Sequence, residues 1–130
     1  MATYIAAIGI VKFKDKILLL KRNKDRRFSP NKWQPVSGSI KEKETAEKAV
    51  LREVKEETGM KGKIVKAGKI FEVTDKWGRW VVAPFLVSVN SNKAKIDREH
   101  VKYEWIKPKE INRFDCVKGV KKDLKSVGLL

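Results

Sequence analysis

Residues Gly38 to Met60 read GSIKEKETAEKAVLREVKEETGM. From Ala46 to Glu57 the run holds no Gly or Pro and is rich in strong helix formers. Thr45 stands where a hydroxyl accepts from a free backbone N–H at a helix start. Gly59 stands where a left-handed residue closes a helix. The spacing therefore predicts a helix over 46–57. At ~100° per residue, Glu53, Glu56 and Glu57 share an arc of roughly 100°. Val50, Leu51 and Val54 occupy the adjoining arc and are expected to face a core. Lys48 and Lys55 fall opposite the carboxylates, toward water.

Three carboxylates on one stripe repel one another by about 0.2–0.5 kcal/mol per pair. A helix that only covers a surface more often alternates its charges there. Oxygen-only donors suit Mg²⁺ or Mn²⁺ rather than Zn²⁺. Glu53, Glu56 and Glu57 are thus candidate ligands for a hard divalent cation, the kind that serves phosphate chemistry. The competing reading is a solvated acidic helix face.

Outward from this stretch, Tyr4 to Phe13 and Ile17 to Lys21 read as strands joined by a turn at Lys14 to Lys16. Trp33 to Val36 reads as a short strand leading into the helix. Lys63 to Val73 reads as a strand broken at Gly68, followed by a turn from Asp75 to Gly78. Trp80 to Val89 is a long apolar strand whose Pro84 suggests an edge or a bulge. Lys102 to Ile106 is a further strand, and a short helix is expected near Glu110. Val117 to Val127 reads as a final amphipathic helix carrying Val117, Val120, Leu124 and Val127 on one face.

A chain of 130 residues is expected to form one domain, spanning 1–130, with a modest core. One cysteine, Cys116, rules out an internal disulfide, and one histidine, His100, cannot build a His/Cys zinc site. No Ser-His-Asp or Cys-His arrangement has a supporting motif. The apolar run from Ala2 to Val11 is short, is broken by Gly9 and lacks a basic leader, so it reads as a strand. No stretch approaches the ~20 apolar residues of a membrane span. A cytoplasmic location and no membrane partner are the resulting expectations. Lys and Arg number 31 against 16 Asp and Glu, a net charge of +15. Such a field speeds the capture of polyanions and keeps nucleic-acid affinity open beside a plain lysine-rich surface.

The segment 38–60 fills every fixed position of the Nudix box, G-x5-E-x7-R-E-U-x-E-E-x-G-U, where U is a bulky aliphatic residue. The chain thereby resembles the Nudix hydrolases, the MutT-like pyrophosphohydrolases. Weaker resemblance flanks the box at Ile17 to Arg22, at Trp33 to Ser39 and at Glu99 to Ile106. The resemblance implies an α/β fold, the Nudix α/β/α sandwich with a mixed β-sheet between helices. It implies that Glu53, Glu56 and Glu57, with the carbonyl oxygen of Gly38, hold Mg²⁺ or Mn²⁺. By the same likeness Arg52 holds a box glutamate through a bidentate ion pair. Glu44 is a supporting carboxylate, and Glu53 or Glu99 is the base. Family members are often dimers, so a homodimer is left open.

Two positions depart from the common pattern. Val36-Ser37-Gly38 stands where many members carry Pro-Gly-Gly, and Lys43 stands where many carry Gly before the first Glu, leaving the loop backbone less freedom. The implied reaction is attack of water on phosphorus in a nucleoside diphosphate linked to another moiety, with a (deoxy)nucleoside triphosphate as the first expectation. RNA ends, dinucleoside polyphosphates and a nucleic-acid-binding module of the same fold are the alternatives. Arg22 and Arg27, near the box entrance, are candidate phosphate contacts. Trp77 and Trp80, beside Arg79, are candidates to stack on a base, against a reading as hairpin packing.

Overall fold

Strand β1 (Thr3–Phe13) alternates across the sheet, turning Ala7 and Val11 to one face and Ile8 and Ile10 to the other, all buried. The computed structural model describes residues 1–130. The other strands are β2 (Lys16–Arg22), β3 (Trp33–Gln34), β4 (Val36–Ser39), β5 (Lys63–Ala67), β6 (Phe71–Asp75), β7 (Gly78–Ser88) and β8 (His100–Ile106). Helix α1 spans Ala46–Thr58, helix α2 spans Val120–Ser126, and a 3-10 helix covers Pro108–Arg113. No helix is long and apolar enough to cross a membrane.

The eight strands make one mixed sheet. At its centre β1 runs parallel to β7, with Tyr4 opposite Trp80 and Ile8 opposite Pro84. Every other pairing is antiparallel. One face packs against α1 through Ala7, Val36, Val50, Val54 and Val87. The other packs against α2 and the 3-10 helix through Ile8, Ile10, Ile111, Val120 and Leu124. The result is the expected three-layered α/β/α arrangement. Val50 and Val54 are fully buried, each stabilising the fold by roughly 2 kcal/mol.

A fork in the sheet creates the space for a site. β1 and β2 pair only near their shared turn, at Lys12–Ile17 and Phe13–Lys16. Beyond it they part, and β4 takes over the edge of β1, with Ala6 opposite Ser39 and Gly9 opposite Val36. β2 turns instead to β3 and β8. Pro35 separates β3 from β4, so the strand read over 33–36 is two short strands serving two different neighbours.

Pro84 corrects an expectation. It lies in a strand paired on both sides, not at an edge. Its carbonyl accepts from the Gly68 N–H at 2.8 Å, so its missing N–H faces the same side. That side is where β5 has ended and β6 has not begun, and no ladder bond is lost there. The break at Gly68 and the proline are complementary. Helix α2 is also shorter than the periodicity suggested. Its first residue is Val120, because Val117 N–H is still bound to Trp33 O at 2.9 Å and Gly119 turns the chain at φ 99°.

Gly59 sits at φ 72° and its N–H closes α1 on Lys55 O at 2.9 Å. A Cβ there would meet only Lys95 at 3.4 Å, so conformation alone opposes substitution. Gly59→Ala is expected to cost about 1 kcal/mol, lowering the thermal midpoint by roughly 4 °C. An unchanged midpoint would mean that this residue does not set the helix end.

Candidate active site

Helix α1 begins where Thr45 Oγ1 accepts from Lys48 N–H at 3.1 Å. That start sets the phase of every carboxylate on the helix. Arg52 points to the loop before the helix and uses all five of its N–H donors. Its Nε and Nη2 hold Glu44 bidentately at 2.7 and 2.9 Å. Its Nη2 also reaches Ser39 O at 3.0 Å, and its Nη1 reaches Glu53 at 2.6 Å and Glu56 at 3.2 Å. The guanidinium holds the Glu44 carboxyl down to about 2.

Glu57 is 1 % exposed. Its Oε1 receives only a long bond from Ser37 N–H at 3.4 Å, and its Oε2 has no partner at all. Burial and the adjacent Glu53 carboxyl push its pKa well above the usual carboxylate range. Glu53 in turn lies against Gly38, where a Cβ would overlap its carboxylate. Only glycine lets the loop and the helix approach this closely. Glu56 is about half exposed and leans on Arg52.

An orphaned carboxylate oxygen, a second carboxylate beside it and a loop backbone pressed on both make an oxygen-only, electron-rich pocket. These donors fit Mg²⁺ or Mn²⁺. No three His, Cys, Asp or Glu side chains are drawn together into a ready-made cage. Glu53 and Glu56 are both turned to Arg52 Nη1, at 2.6 and 3.2 Å. Lys43, in place of the more usual glycine, stands left-handed at φ 64° and bears that strain with a side chain.

From Gly38 a cleft of about 360 Å³ runs over the α2 face of the sheet. Its walls include Arg22, Arg26, Phe28, Trp80 and Asp123. Arg22 is buried, with Nε on Phe28 O at 2.9 Å and Nη1 on Gln34 Oε1 at 3.0 Å. Gln34 Nε2 then faces His100 Nε2 at 3.0 Å, and His100 Nδ1 faces Asp97 at 2.7 Å. Since Gln34 Oε1 already accepts from Arg22, its amide donates to His100, whose Nδ1–H donates to Asp97. Burial lowers the His100 pKa, in keeping with this neutral ring. Its Nε2 stands 4.0 Å from Glu57 Oε1, so a satisfied polar chain backs the buried glutamate.

The other residues singled out in the sequence divide in two. Trp80 lines the cleft, stacked on Tyr4 at 4.4 Å and edge-on to Phe28 at 5.4 Å. Trp77 lies outside it, edge-on to Phe28 at 6.3 Å, and packs the hairpin. Arg27 is exposed over the Phe28 ring at 5.0 Å and does not line the cleft; its neighbour Arg26 does. Arg22 lines the cleft with two of its nitrogens already engaged inside the protein. Glu99 pairs with Arg26 at 2.7 Å. Sequence reasoning missed Asp123, Gln34, Asp97, Tyr4 and Arg26. The period-two pattern of β1 carried a signal for Tyr4, whereas Asp97 and Gln34 come from a loop and a two-residue strand with none.

Known proteins share this fold. A family model described as NUDIX domain matches residues 3–125. The chain is 28% identical to the nucleoside triphosphatase NudI of Escherichia coli O139:H28, over 87% of this chain and 88% of that one. It superposes on the MutT protein from Methanosarcina mazei Go1 with a TM-score of 0.81 at 23% identity, covering 93% of this chain and 88% of that one. It superposes on a C. elegans Ap4A hydrolase with a TM-score of 0.76 at 20% identity, covering 95% and 93%.

The Asp123 carboxyl, buried in the cleft wall, is pushed up to about 8 by desolvation from an ordinary value of 3.8. The folded value is raised, so its contribution to stability is complete below 3.8 and is lost as pH rises through about 8. Asp123→Asn cannot ionise. Denaturation midpoints of the wild type are expected to fall relative to the variant from pH 4 to 8, and parallel curves would contradict the burial of a neutral carboxyl.

Proposed function

The chain belongs to the NUDIX family and is a Nudix hydrolase, and from that premise we propose that it cleaves the phosphoanhydride of a (deoxy)nucleoside triphosphate with Mg²⁺ or Mn²⁺. The observation that carries the reading is Glu57, whose buried Oε2 has no partner. Leaving such a group unpaired costs about 1–3 kcal/mol or more. A helix serving only as scaffold has no reason to bear that cost beside a second carboxylate.

Glu53, Glu56, Glu57 and the Gly38 carbonyl would hold the cation. When bound, it neutralises phosphate oxygens and acidifies the water that attacks phosphorus. The protein's own part is positioning and charge, which phosphoryl transfer chiefly requires. Arg52 keeps Glu53 and the loop at Ser39 in one frame. Arg26 and the remaining nitrogen of Arg22 offer positive charge along the cleft to the phosphates. A carboxylate, Glu53 or Glu99, accepts the proton of the attacking water. Both are ion-paired, Glu53 with Arg52 at 2.6 Å and Glu99 with Arg26 at 2.7 Å, and Glu53 is favoured by its contact with Glu57.

The name of the NudI relative, a nucleoside triphosphatase, supports the substrate class. A net charge of +15 supports a second reading, a Nudix-fold module that binds nucleic acid. Tight RNA binding in EDTA without turnover in Mg²⁺ would favour that reading.

The test is release of phosphate and pyrophosphate from a panel of nucleoside triphosphates, dinucleotides and nucleotide sugars. Glu53→Gln and Glu57→Gln are each expected to cut turnover by a factor on the order of 10² or more, with unchanged circular dichroism. Full activity in both variants would remove the assigned site.

A further inference from the structure

On the neighbouring strands β3, β2 and β8, Trp33 lies opposite Lys21, and Lys21 lies opposite Lys102. Residues directly opposite across a ladder share one face, so two like charges stand side by side at one indole. Lys102 Nζ is 5.5 Å and Lys21 Nζ 6.0 Å from the Trp33 ring centroid. Trp33 in turn meets Phe114 edge-on, with centroids 5.3 Å apart. Phe114 belongs to the wall of a groove of about 530 Å³ beside α2, the 3-10 helix and β6. Exposed Lys118, Lys121 and Lys122 line this groove together with apolar Ile111, Val117 and Val120. Lys122 Nζ lies 5.8 Å from the Phe71 ring centroid. The groove adjoins the cleft and shares Val73, Val117, Lys118 and Gly119 with it. One strip therefore runs from the Lys21–Lys102 pair, across the Trp33 and Phe114 rings, to three lysines beside the cleft.

None of these five lysines is in an ion pair, although the chain carries 16 acidic residues. The acids nearest the strip do not neutralise it. Glu72 lines the groove without an ion-pair partner, and Asp115 is held by Lys32 at 2.8 Å. Like charges directly opposite on adjacent strands oppose folding, and a surface that serves only solubility intersperses both signs.

We propose that this strip is an interaction surface for single-stranded nucleic acid, its lysines meeting phosphodiesters along the strand and its groove receiving an unstacked base. A line of cations matches a chain of phosphates, whereas a small anion touches only one part of it. A groove of this volume with apolar walls and a cationic rim accommodates a base, which a single strand presents and a duplex keeps stacked. Because groove and cleft share their wall at Lys118, a strand bound here has one end beside the cleft. The surface itself does not depend on the hydrolase reading above.

The test is fluorescence anisotropy of a labelled single-stranded RNA, in EDTA so that no metal-dependent turnover occurs, over a series of salt concentrations. Each phosphate neutralised on a single strand contributes about 0.7 to the steepness with which log affinity falls against log salt. Wild type is expected to bind with a steepness of about 3. Lys21→Gln/Lys102→Gln and Lys121→Gln/Lys122→Gln are each expected to weaken binding about tenfold and to reduce the steepness by about 1. Lys118 is left in place because it also lines the cleft. Lys48→Gln/Lys55→Gln, at exposed positions of α1, makes the same change in charge away from the strip and is expected to leave the steepness unchanged. No RNA binding by the wild type, a steepness unchanged in both strip variants, or an equal loss in the α1 variant would each overturn the proposal. Hydrolysis of nucleoside triphosphates, measured separately in Mg²⁺, tests the catalytic reading and leaves this result as it stands.

Discussion

The Arg52 guanidinium joins the loop at Ser39, the Glu44 carboxylate and two glutamates of its own helix through five hydrogen bonds. Much of the site depends on that junction. Without it the loop carrying Gly38 has no fixed distance from α1, and Glu53 has no fixed rotamer. A lysine would not serve, since one ammonium cannot present a planar fork to Glu44 while reaching a backbone carbonyl beyond it. The arginine also balances charge. Glu44, Glu53 and Glu56 all converge on its guanidinium, which offsets their mutual repulsion.

Glu57 is the member of the set that Arg52 does not reach. It is buried where the other carboxylates are not, and it is backed by the hydrogen-bonded chain of His100, Gln34 and Arg22. Those groups satisfy one another and leave Glu57 unsatisfied. The asymmetry gives the site its chemical direction: one carboxylate group neutralised internally, another left waiting for a cation. The forked sheet opens a cleft beside it, with Ser37, Gly38 and Ser39 in the wall, because β4 replaces β2 along β1 just where the box loop begins.

Much of this was legible in the residues. The phase of α1 follows from Thr45, Gly59 and the absence of breakers between them, and its observed bounds differ from the expected ones by a single residue. The strands of β1, β2 and β7 follow from their apolar runs. Pro84 was misread because a proline's tolerance in a sheet depends on the neighbouring strand, and the gap between β5 and β6 is a tertiary fact. α2 was overextended because Val117 keeps the helical period while its N–H is committed to Trp33. In the site, the local spacing of Glu53, Glu56 and Glu57 could be read directly. Arg26, Gln34, Asp97 and Asp123 could not. Each reaches the cleft or its backing through contacts between elements far apart in sequence, and neither a lone aspartate in a lysine-rich helix nor a glutamine in a two-residue strand announces its surroundings.

A direct test of the central claim, that the acidic stripe of α1 is built to hold a hard divalent cation, is Mn²⁺ binding measured by calorimetry on the wild type beside Glu57→Gln. The account predicts binding by the wild type and its loss in the variant, with the fold intact in both. Equal Mn²⁺ binding by the two proteins, or none by either, would contradict it.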